Sequence, residues 1–463
     1  MSILWILTEE KPKTNIVLDI FMEFAKDNNF SYFLGDIRII PIVSNNRFTF
    51  EYDVIGITCN NVPKIKIRII SGNSSFVDYL VYFQEKLPKP EEEPLYAIEV
   101  TKTTDGESRN TGVYQRGTKF VFLDRYYPNT KKIMLYDNQI EDNKEPTDTN
   151  IFGNKMLTTN NVSILGKELK KEHYSKFKDL DDLIRHKNSM RRPPNGNVPL
   201  LIKKEKDLIK VSGRLFKSGS LAHDPNIGAL SLITSSIRKF DNKSKIIITQ
   251  HGLKQNHLTS RNKFIAICNL LNVEIEGLQV PKYNWPKKYW HYEEKGEKLG
   301  TILIHIVVEN FTKGYSIFDN HAGSEKGYFV TSAGDMIPLQ KYTNRDKYKS
   351  GDKDYAMRIP DLILVDPNQN EIINIEGKTF DNRFAGINEL KDYDFIEKEY
   401  IKKHYSSKYK IIRSVVLYGK GNGTDITETE IGFLLTNDGK LEIWVWSPSL
   451  FKEAIKNLKD FWR

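Results

Sequence analysis

The sequence predicts a mixed α/β protein built from more than one domain. Three observations carry that reading. Short alternating runs rich in Ile, Val, Tyr and Phe interleave with runs at helical spacing along all 463 residues. Hydrophobic residues make up 39% of the chain and aromatics 11%, enough for sizeable cores and too much for a disordered protein. No internal repeat of solenoid period is visible.

The elements follow in chain order. Residues 14–26 place apolar side chains at helical spacing. Strand-like runs come next: DIRIIPIV, FTFEYDVIGIT, KIKIRIISG, FVDYLVYF and YAIEVTKT. A helix is expected around TGVYQRGTKFVFLDRYY, then the strand KKIMLY. These make residues 1–140 one mixed α/β domain. The polar stretch from Asp137 to Thr159 and the Pro-Pro and Asn-Gly of MRRPPNGNVP mark 141–200 as a linker region. Residues 201–299 form a middle unit. There Asp224-Pro225-Asn226 caps a helix through GALSLITSSIRKF, followed by the strand KIIITQ and a helix KFIAICNLL. Residues 300–463 form the last domain. Its expected order is strand GTILIHIVVENF, strands IPDLILVD and EIINIEGK, helix NELKDYDFIEKEYIKKHY, strands KIIRSVVLYG, IGFLLT and LEIWVW, and helix LFKEAIKNLKDF.

Charge and cysteine usage bound the function. Lys plus Arg number 69 against 60 Asp plus Glu, a net charge of +9 spread along the chain. That excess favours a polyanionic partner such as nucleic acid. Cys59 and Cys268 stand far apart, which excludes a disulfide scaffold or a zinc finger. No apolar stretch reaches the ~20 residues of a membrane span. MSILWILTEEKPK has no basic region before its short apolar run, so no secretory leader is expected and the protein reads as cytoplasmic. P-loop, GxGxxG, HExxH and GxSxG patterns are absent, which leaves nucleotide hydrolysis, redox, zinc-protease and α/β-hydrolase readings without support.

The segment IPDLILVDPNQNEIINIEGK carries the strongest constellation. A polar turn joins two strands that should pair as a hairpin. Asp361 opens the first strand, and Glu376 and Lys378 close the second. Residues two apart share a strand face, so Asn374, Glu376 and Lys378 point one way. In an antiparallel hairpin the two ends adjoin, and two carboxylates meet one ammonium. Such a set suits metal-assisted phosphodiester hydrolysis. Two hard oxygen ligands, Asp361 and Glu376, hold Mg²⁺, and Lys378 orients the attacking water or stabilises developing charge. A surface hairpin with its Glu and Lys in water is the plain alternative.

Pro360-Asp361 followed by Glu376-Gly377-Lys378 resembles the PD-(D/E)XK nuclease superfamily, and the order strand, turn, strand, helix, strand over roughly residues 300–420 is similar to that family's core. The resemblance implies a central mixed sheet flanked by helices, with Mg²⁺ as cofactor. FVDYLVYF and PLYAIEVTKT repeat the theme imperfectly, with Asp78 on one strand and Glu99 and Lys102 on a later one. Glu99 and Lys102 are three apart, so a regular strand puts them on opposite faces unless a bulge or the strand end brings Lys102 round. Gln115 and Arg116 fall in the helix that follows, and helical Gln, Tyr and Arg at that place recur in some branches of the superfamily. Arg109 and Asn110, at the start of that helix, are placed to hold a phosphate. The expectation is therefore two such cores. The second is an active site, a degenerate DNA-binding copy or plain structure.

Other signals fit DNA contact. TQHGLKQNHLTSRNKF offers Gln255, Asn256, His257, Arg261 and Asn262 as base readers, with an ordinary loop and cap as the alternative. His251 and His257 lack a third ligand, which argues against zinc. Trp285 and Trp290 in PKYNWPKKYWHY either stack a base or anchor a loop. A basic run including Lys347 and Lys349 leads into the candidate site and suits phosphate contact.

By resemblance and elimination, the expected protein is a type II restriction endonuclease. It would cut double-stranded DNA at a specific sequence with Mg²⁺, alongside a cognate methyltransferase, as a monomer with two sites or as a homodimer. A repair, recombination or transposition nuclease of low specificity and a non-enzymatic DNA-binding protein are the alternatives.

Overall fold

The computed structural model describes residues 2–73, 75–102, 112–137, 147–166, 171–190, 201–213, 225–293, 296–321, 323, 326–340 and 356–463. The protein is mixed α/β, and it divides into two compact units. One comprises Met1–Ser71, Gln84–Lys86 and Tyr292–Arg463; the other comprises Gly72–Phe83 and Leu87–His291. This division differs from the consecutive domains 1–140, 201–299 and 300–463, because the N-terminal strands share a unit with the C-terminal residues.

The first unit opens with β1 (Ile3–Thr8), α1 (Thr14–Asp27), β2 (Phe33–Ser44), β3 (Arg47–Thr58) and β4 (Ile65–Gly72). The strands lie in the order β2-β3-β4-β1, with β1 parallel to β4 and the other pairs antiparallel. Helix α1 buries Ile16, Val17, Ile20, Phe21, Phe24 and Ala25, one apolar stripe at helical period.

The second unit contains β5 (Tyr79–Gln84) up to its penultimate residue, β6 (Tyr96–Lys102), α2 (Val113–Leu123), β7 (Lys131–Asp137), α3 (Asp148–Thr159) and β8 (Val162–Leu165). Strands β5 and β6 are antiparallel, while β6, β7 and β8 run parallel. Short helix α4 (Lys171–Tyr174) and α5 (Leu180–Ser189) follow. The described residues 147–166 and 171–190 are therefore no plain linker: Phe152, Met156, Leu157 and Leu183 are all fully buried. The Asn- and Thr-rich composition concealed α3, in which the buried Asn154 Nδ2 donates to the buried Asn150 Oδ1. A second sheet takes the order β12-β11-β10-β9, from β9 (Ile202–Glu205), β10 (Leu208–Ser212), β11 (Lys245–Thr249) and β12 (Val273–Ile275). Helices α6 (Pro225–Phe240) and α7 (Lys263–Leu271) accompany it. Helix α6 packs closely on α2 at Gly228, where a Cβ would stand 2.8 Å from the Tyr114 carbonyl carbon. Strand β13 (Trp290–Tyr292) lies where the sequence returns to the first unit.

The first unit then continues with α8 (Lys298–Phe311), β14 (Tyr315–Asp319), the hairpin β15 (Lys326–Val330) and β16 (Met336–Gln340), β17 (Leu362–Asp366) and β18 (Glu371–Thr379). A helical stretch over residues 383–404, β19 (Lys410–Gly419), β20 (Ile431–Thr436), β21 (Leu441–Glu442) and a last helix, Ser449–Phe461, complete it. The sheet order is β14-β17-β18-β19-β20-β21. Strands β17 and β18 are antiparallel, and β18, β19 and β20 are parallel.

Two sequence expectations fail in this part. GTILIHIVVENF is α8, a helix, and not a strand; every residue from Leu299 to Val308 is buried. A buried run of Ile, Leu and Val, interrupted only by Gly300, Thr301 and His305, cannot be told from a buried strand by periodicity. LEIWVW gives only the two-residue β21, because Trp444 leads into a turn closed by Ser447.

Both faces of the last sheet are covered. Ile363, Val365, Ile372, Val415, Leu417 and Leu434 join Leu390, Tyr393, Ile396 and Ile401 of the 383–404 stretch in one core. Each such Ile or Leu contributes about 1.5–3 kcal/mol on burial. The start of β3 reaches the turn between β20 and β21 within the same unit: Arg47 pairs with Asp438, and Phe48 N–H donates to the Gly439 carbonyl at 2.7 Å.

Candidate active site

Register places the acidic pair. Leu362 stands opposite Ile375 in the β17–β18 ladder, and the Asp361 N–H donates to the Ile375 carbonyl at 3.0 Å. Asp361 therefore adjoins Glu376. Its Oδ2 accepts the Gly377 N–H at 2.8 Å, which fixes the carboxylate against the partner strand. Gly377 is required there. A Cβ would stand 2.7 Å from Thr301 Cγ2 of α8 and 3.1 Å from Asp361 Oδ2.

Strand alternation aims Ile372, Asn374, Glu376 and Lys378 at the 383–404 stretch. Lys378 Nζ donates to Glu376 Oε1 at 2.5 Å and lies 3.1 Å from Glu389 Oε2. The Tyr393 hydroxyl donates to the other oxygen, Glu376 Oε2. Asn374 Nδ2 donates to Glu397 Oε1 at 2.8 Å, and Arg413 donates to both Glu397 oxygens at 2.7 and 2.8 Å. This lower network fixes the helical stretch over the strand without entering the carboxylate cluster.

The electrostatics follow from burial. Burial and then the nearby Glu376 push the Asp361 carboxyl well above the usual carboxylate range. Burial raises Glu376 to about 7, against the pull of Lys378 and Tyr393. Burial also raises Glu297, which Lys378 only partly offsets. The Lys378 ammonium is shifted up, because its acidic neighbours outweigh its own desolvation. Burial alone would raise Glu389, but hydrogen bonds to Glu376 and Lys378 outweigh it and hold this carboxyl low. One lysine is thus set against several crowded acids.

Thr301, which packs on Gly377, belongs to a buried polar chain. The Thr301 hydroxyl meets His321 Nδ1 at 2.9 Å, His321 Nε2 meets His305 Nδ1 at 2.9 Å, and His305 Nε2 meets Glu309 Oε1 at 2.9 Å. Lys11 pairs with the same glutamate. Glu309 is an acceptor, so His305 donates to it from Nε2. Desolvation disfavours the charged rings, lowering His305 and taking His321 down to about 3.

The second unit holds the Asp78 set. Tyr79 stands opposite Ile98, so Asp78 adjoins Glu99. Asp78 Oδ2 accepts the Val100 N–H at 2.7 Å. Glu99 is 1% exposed. Burial and then Asp78 push it up to about 8. Its cationic partner is Lys119 of α2, with Nζ 2.7 Å from Oε1 and 2.9 Å from Oε2, and Arg116 Nε lies 3.9 Å from Oε1. Strand β6 keeps a regular parallel register with β7 through Lys102, with no bulge. The Lys102 side chain lies outside the described residues, as do Arg109, Asn110, Lys347 and Lys349.

The proposed base readers are placed as follows. Gln255 exchanges hydrogen bonds with the Gln279 backbone at 2.8 and 3.0 Å. His257 Nδ1 accepts the Lys254 N–H at 3.1 Å, and Asn262 Oδ1 caps α7 through the Phe264 N–H at 2.8 Å. Those three side chains serve the local fold. Asn256, Arg261 and Gln115 are exposed. Trp285 packs on Phe122 and Tyr283, and Trp290 donates to the Tyr82 hydroxyl at 3.2 Å, so both anchor the loop.

Sequence reasoning missed Tyr393, Glu389, Glu297 and Lys119. Glu389 and Tyr393 are four apart on a helix, hence on one face beside the strand, a signal that was available. Lys119 shares its helix face with Gln115 and Arg116 in the same way. Glu297 carried no local signal.

Among the described residues no group of three or more His, Cys, Asp and Glu is arranged to hold a metal ion. The donor set at Asp361 and Glu376 is two carboxylates. That fits Mg²⁺, which is held by one or two carboxylates and keeps its remaining places for water and phosphate oxygens. Neither a protein-family model, nor a curated protein, nor a solved structure matches the chain.

Proposed function

We propose that the chain is a Mg²⁺-dependent endonuclease of double-stranded DNA, of the type II restriction kind. The observation that supports it most is the register-set meeting of Asp361 and Glu376 with Lys378 at the ends of β17 and β18. Asp361 and Glu376 would hold the metal, which would polarise the phosphate and acidify a bound water. Lys378 then orients that water and offsets the charge that grows on the phosphoryl oxygens. Tyr393 keeps Glu376 directed by its hydroxyl. In the reaction the water oxygen bonds to phosphorus, one ester P–O bond breaks, the water gives up a proton to solvent, and the leaving oxygen takes one. A PD-(D/E)XK-type core, with the net charge of +9, accounts for a polyanionic substrate. Among the described residues no helix is long and apolar enough to cross a membrane. The reading places the protein in the cytoplasm, with a methyltransferase protecting the host's own sites.

The test is cleavage of unmethylated plasmid by wild type and Lys378→Ala, with Mg²⁺ and with EDTA. Discrete fragments from wild type with Mg²⁺ only, and DNA binding without cleavage by the variant, are expected. Smears point to a repair or transposition nuclease instead. Binding without any Mg²⁺-dependent cut leaves a DNA-binding protein.

A further inference from the structure

The two carboxylate pairs are built to one plan. In each, an Asp stands one residue before a strand, at Asp78 before β5 and Asp361 before β17. In each, antiparallel register sets that Asp beside a Glu, with Tyr79 opposite Ile98 and Leu362 opposite Ile375. In each, the Asp Oδ2 accepts the N–H of the residue after that Glu, Val100 at 2.7 Å and Gly377 at 2.8 Å. The Glu-bearing strand then runs parallel to the next two strands, β6 to β7 and β8, and β18 to β19 and β20. In each, the helical connection after that strand supplies a side chain to the Glu: Lys119 to Glu99, and Tyr393 to Glu376.

The source of the ammonium differs. Lys378 comes from the strand itself, two residues past Glu376. Lys119 comes from α2, and besides binding both Glu99 oxygens it lies 3.5 Å from Asp78 Oδ1. A register, a backbone lock and a lysine reproduced together are more than a chance meeting of acids. One of these features alone would be ordinary sheet structure.

We infer that Asp78, Glu99 and Lys119 form a second phosphodiester-hydrolysing site, with a divalent cation on Asp78 and Glu99, so that one chain carries one site for each strand of a duplex. This rests on the nuclease reading of the Asp361 site. Lys119 takes the part that Lys378 plays in the first unit. The chemistry is the same balanced hydrolysis, performed on the second strand.

The test uses the full chain and two readouts. In calorimetric titration with Mn²⁺ alone, wild type takes up two equivalents, Glu99→Gln and Glu376→Gln one each, and the double variant none. Asp78→Asn, whose amide oxygen still accepts the Val100 N–H, is the second variant should Glu99→Gln misfold, and it also takes up one. On supercoiled plasmid with Mg²⁺, wild type linearises, while Glu99→Gln, Asp78→Asn and Lys119→Met stop at nicked circles, with linear product down at least about 100-fold. Lys119→Met keeps both equivalents of Mn²⁺. Linearisation at the wild-type rate by Glu99→Gln, or one equivalent in wild type that only Glu376→Gln removes, overturns the second site and leaves the first. No Mn²⁺ uptake and no cleavage by wild type overturns both.

Discussion

Glu376 turns the protonation of one side chain into a measurable stability. Its folded-state pKa of about 7 lies above the ordinary glutamate value, so between pH 4.5 and 7 the folded protein keeps a proton that the unfolded chain has lost. Stability conferred by that proton is complete below pH 4.5 and is lost as pH rises through 7, a span of at most about 3 kcal/mol. In EDTA, the melting temperature of wild type should fall more steeply from pH 5 to 7 than that of Glu376→Gln. Parallel curves for the two proteins would refute the assignment. At the same scale, Lys378→Ala should lower cleavage by at least about 100-fold with DNA affinity retained, read by gel shift beside the plasmid assay. The Asp361, Glu376 and Lys378 set was legible in the sequence because strand alternation and a short hairpin fix which side chains meet. The Lys119 contact was not, because it joins a helix to a strand 20 residues away in sequence, and nothing local sets that distance. Gln255 and Asn262 mislead for a related reason: amide side chains that suit an adenine edge also suit a backbone, and here the backbone takes them.

At the scale of elements, the site depends on how closely α8 approaches β18. Gly377→Ala puts a methyl group into Thr301, so the helix or the strand must move, at a cost of about 1–3 kcal/mol. The same movement shifts the N–H that holds Asp361, and cleavage should fall with stability. Thr301→Ser removes the clashing methyl while keeping the hydroxyl for His321. Chemical denaturation of both single variants and the double should therefore show coupling, with Thr301→Ser recovering part of the Gly377→Ala loss. Simple additivity would show that the contact is not the cause. Helix α8 also marks where the sequence was unreadable. Its Ile, Leu and Val residues fall on every side because the helix is enclosed, and the 3.6-residue period that identifies a surface helix is erased. Residues 388–404 were legible as helix because one face stays polar, although the start of that stretch at Arg383 and the 3-10 and π turns at 390–393 and 397–401 were not.

For the whole molecule, the net charge of +9 should appear as a salt dependence. If six or more phosphates are contacted, DNA affinity measured by fluorescence anisotropy should fall by roughly 10³-fold or more between 50 and 200 mM salt, for cognate and unrelated duplex alike. A flat response would remove the polyanion reading. The mixed α/β class was plain from the alternating runs, but the division into units was not, since a unit made of distant stretches leaves no mark in local composition. That division sets an order of events during synthesis. Residues 72–291 leave the ribosome as an almost complete unit, while β1 to β4 emerge earlier and belong with residues that emerge last. At ~5–20 residues per second, residues 292–463 take on the order of ten seconds or more to follow. For that interval Leu4, Ile6, Ile39, Ile40 and Phe48, all buried in the finished protein, await their full surroundings. In that interval the stretch from β1 to β4 is open to aggregation, and slowed translation of residues 292–463 would lengthen its exposure.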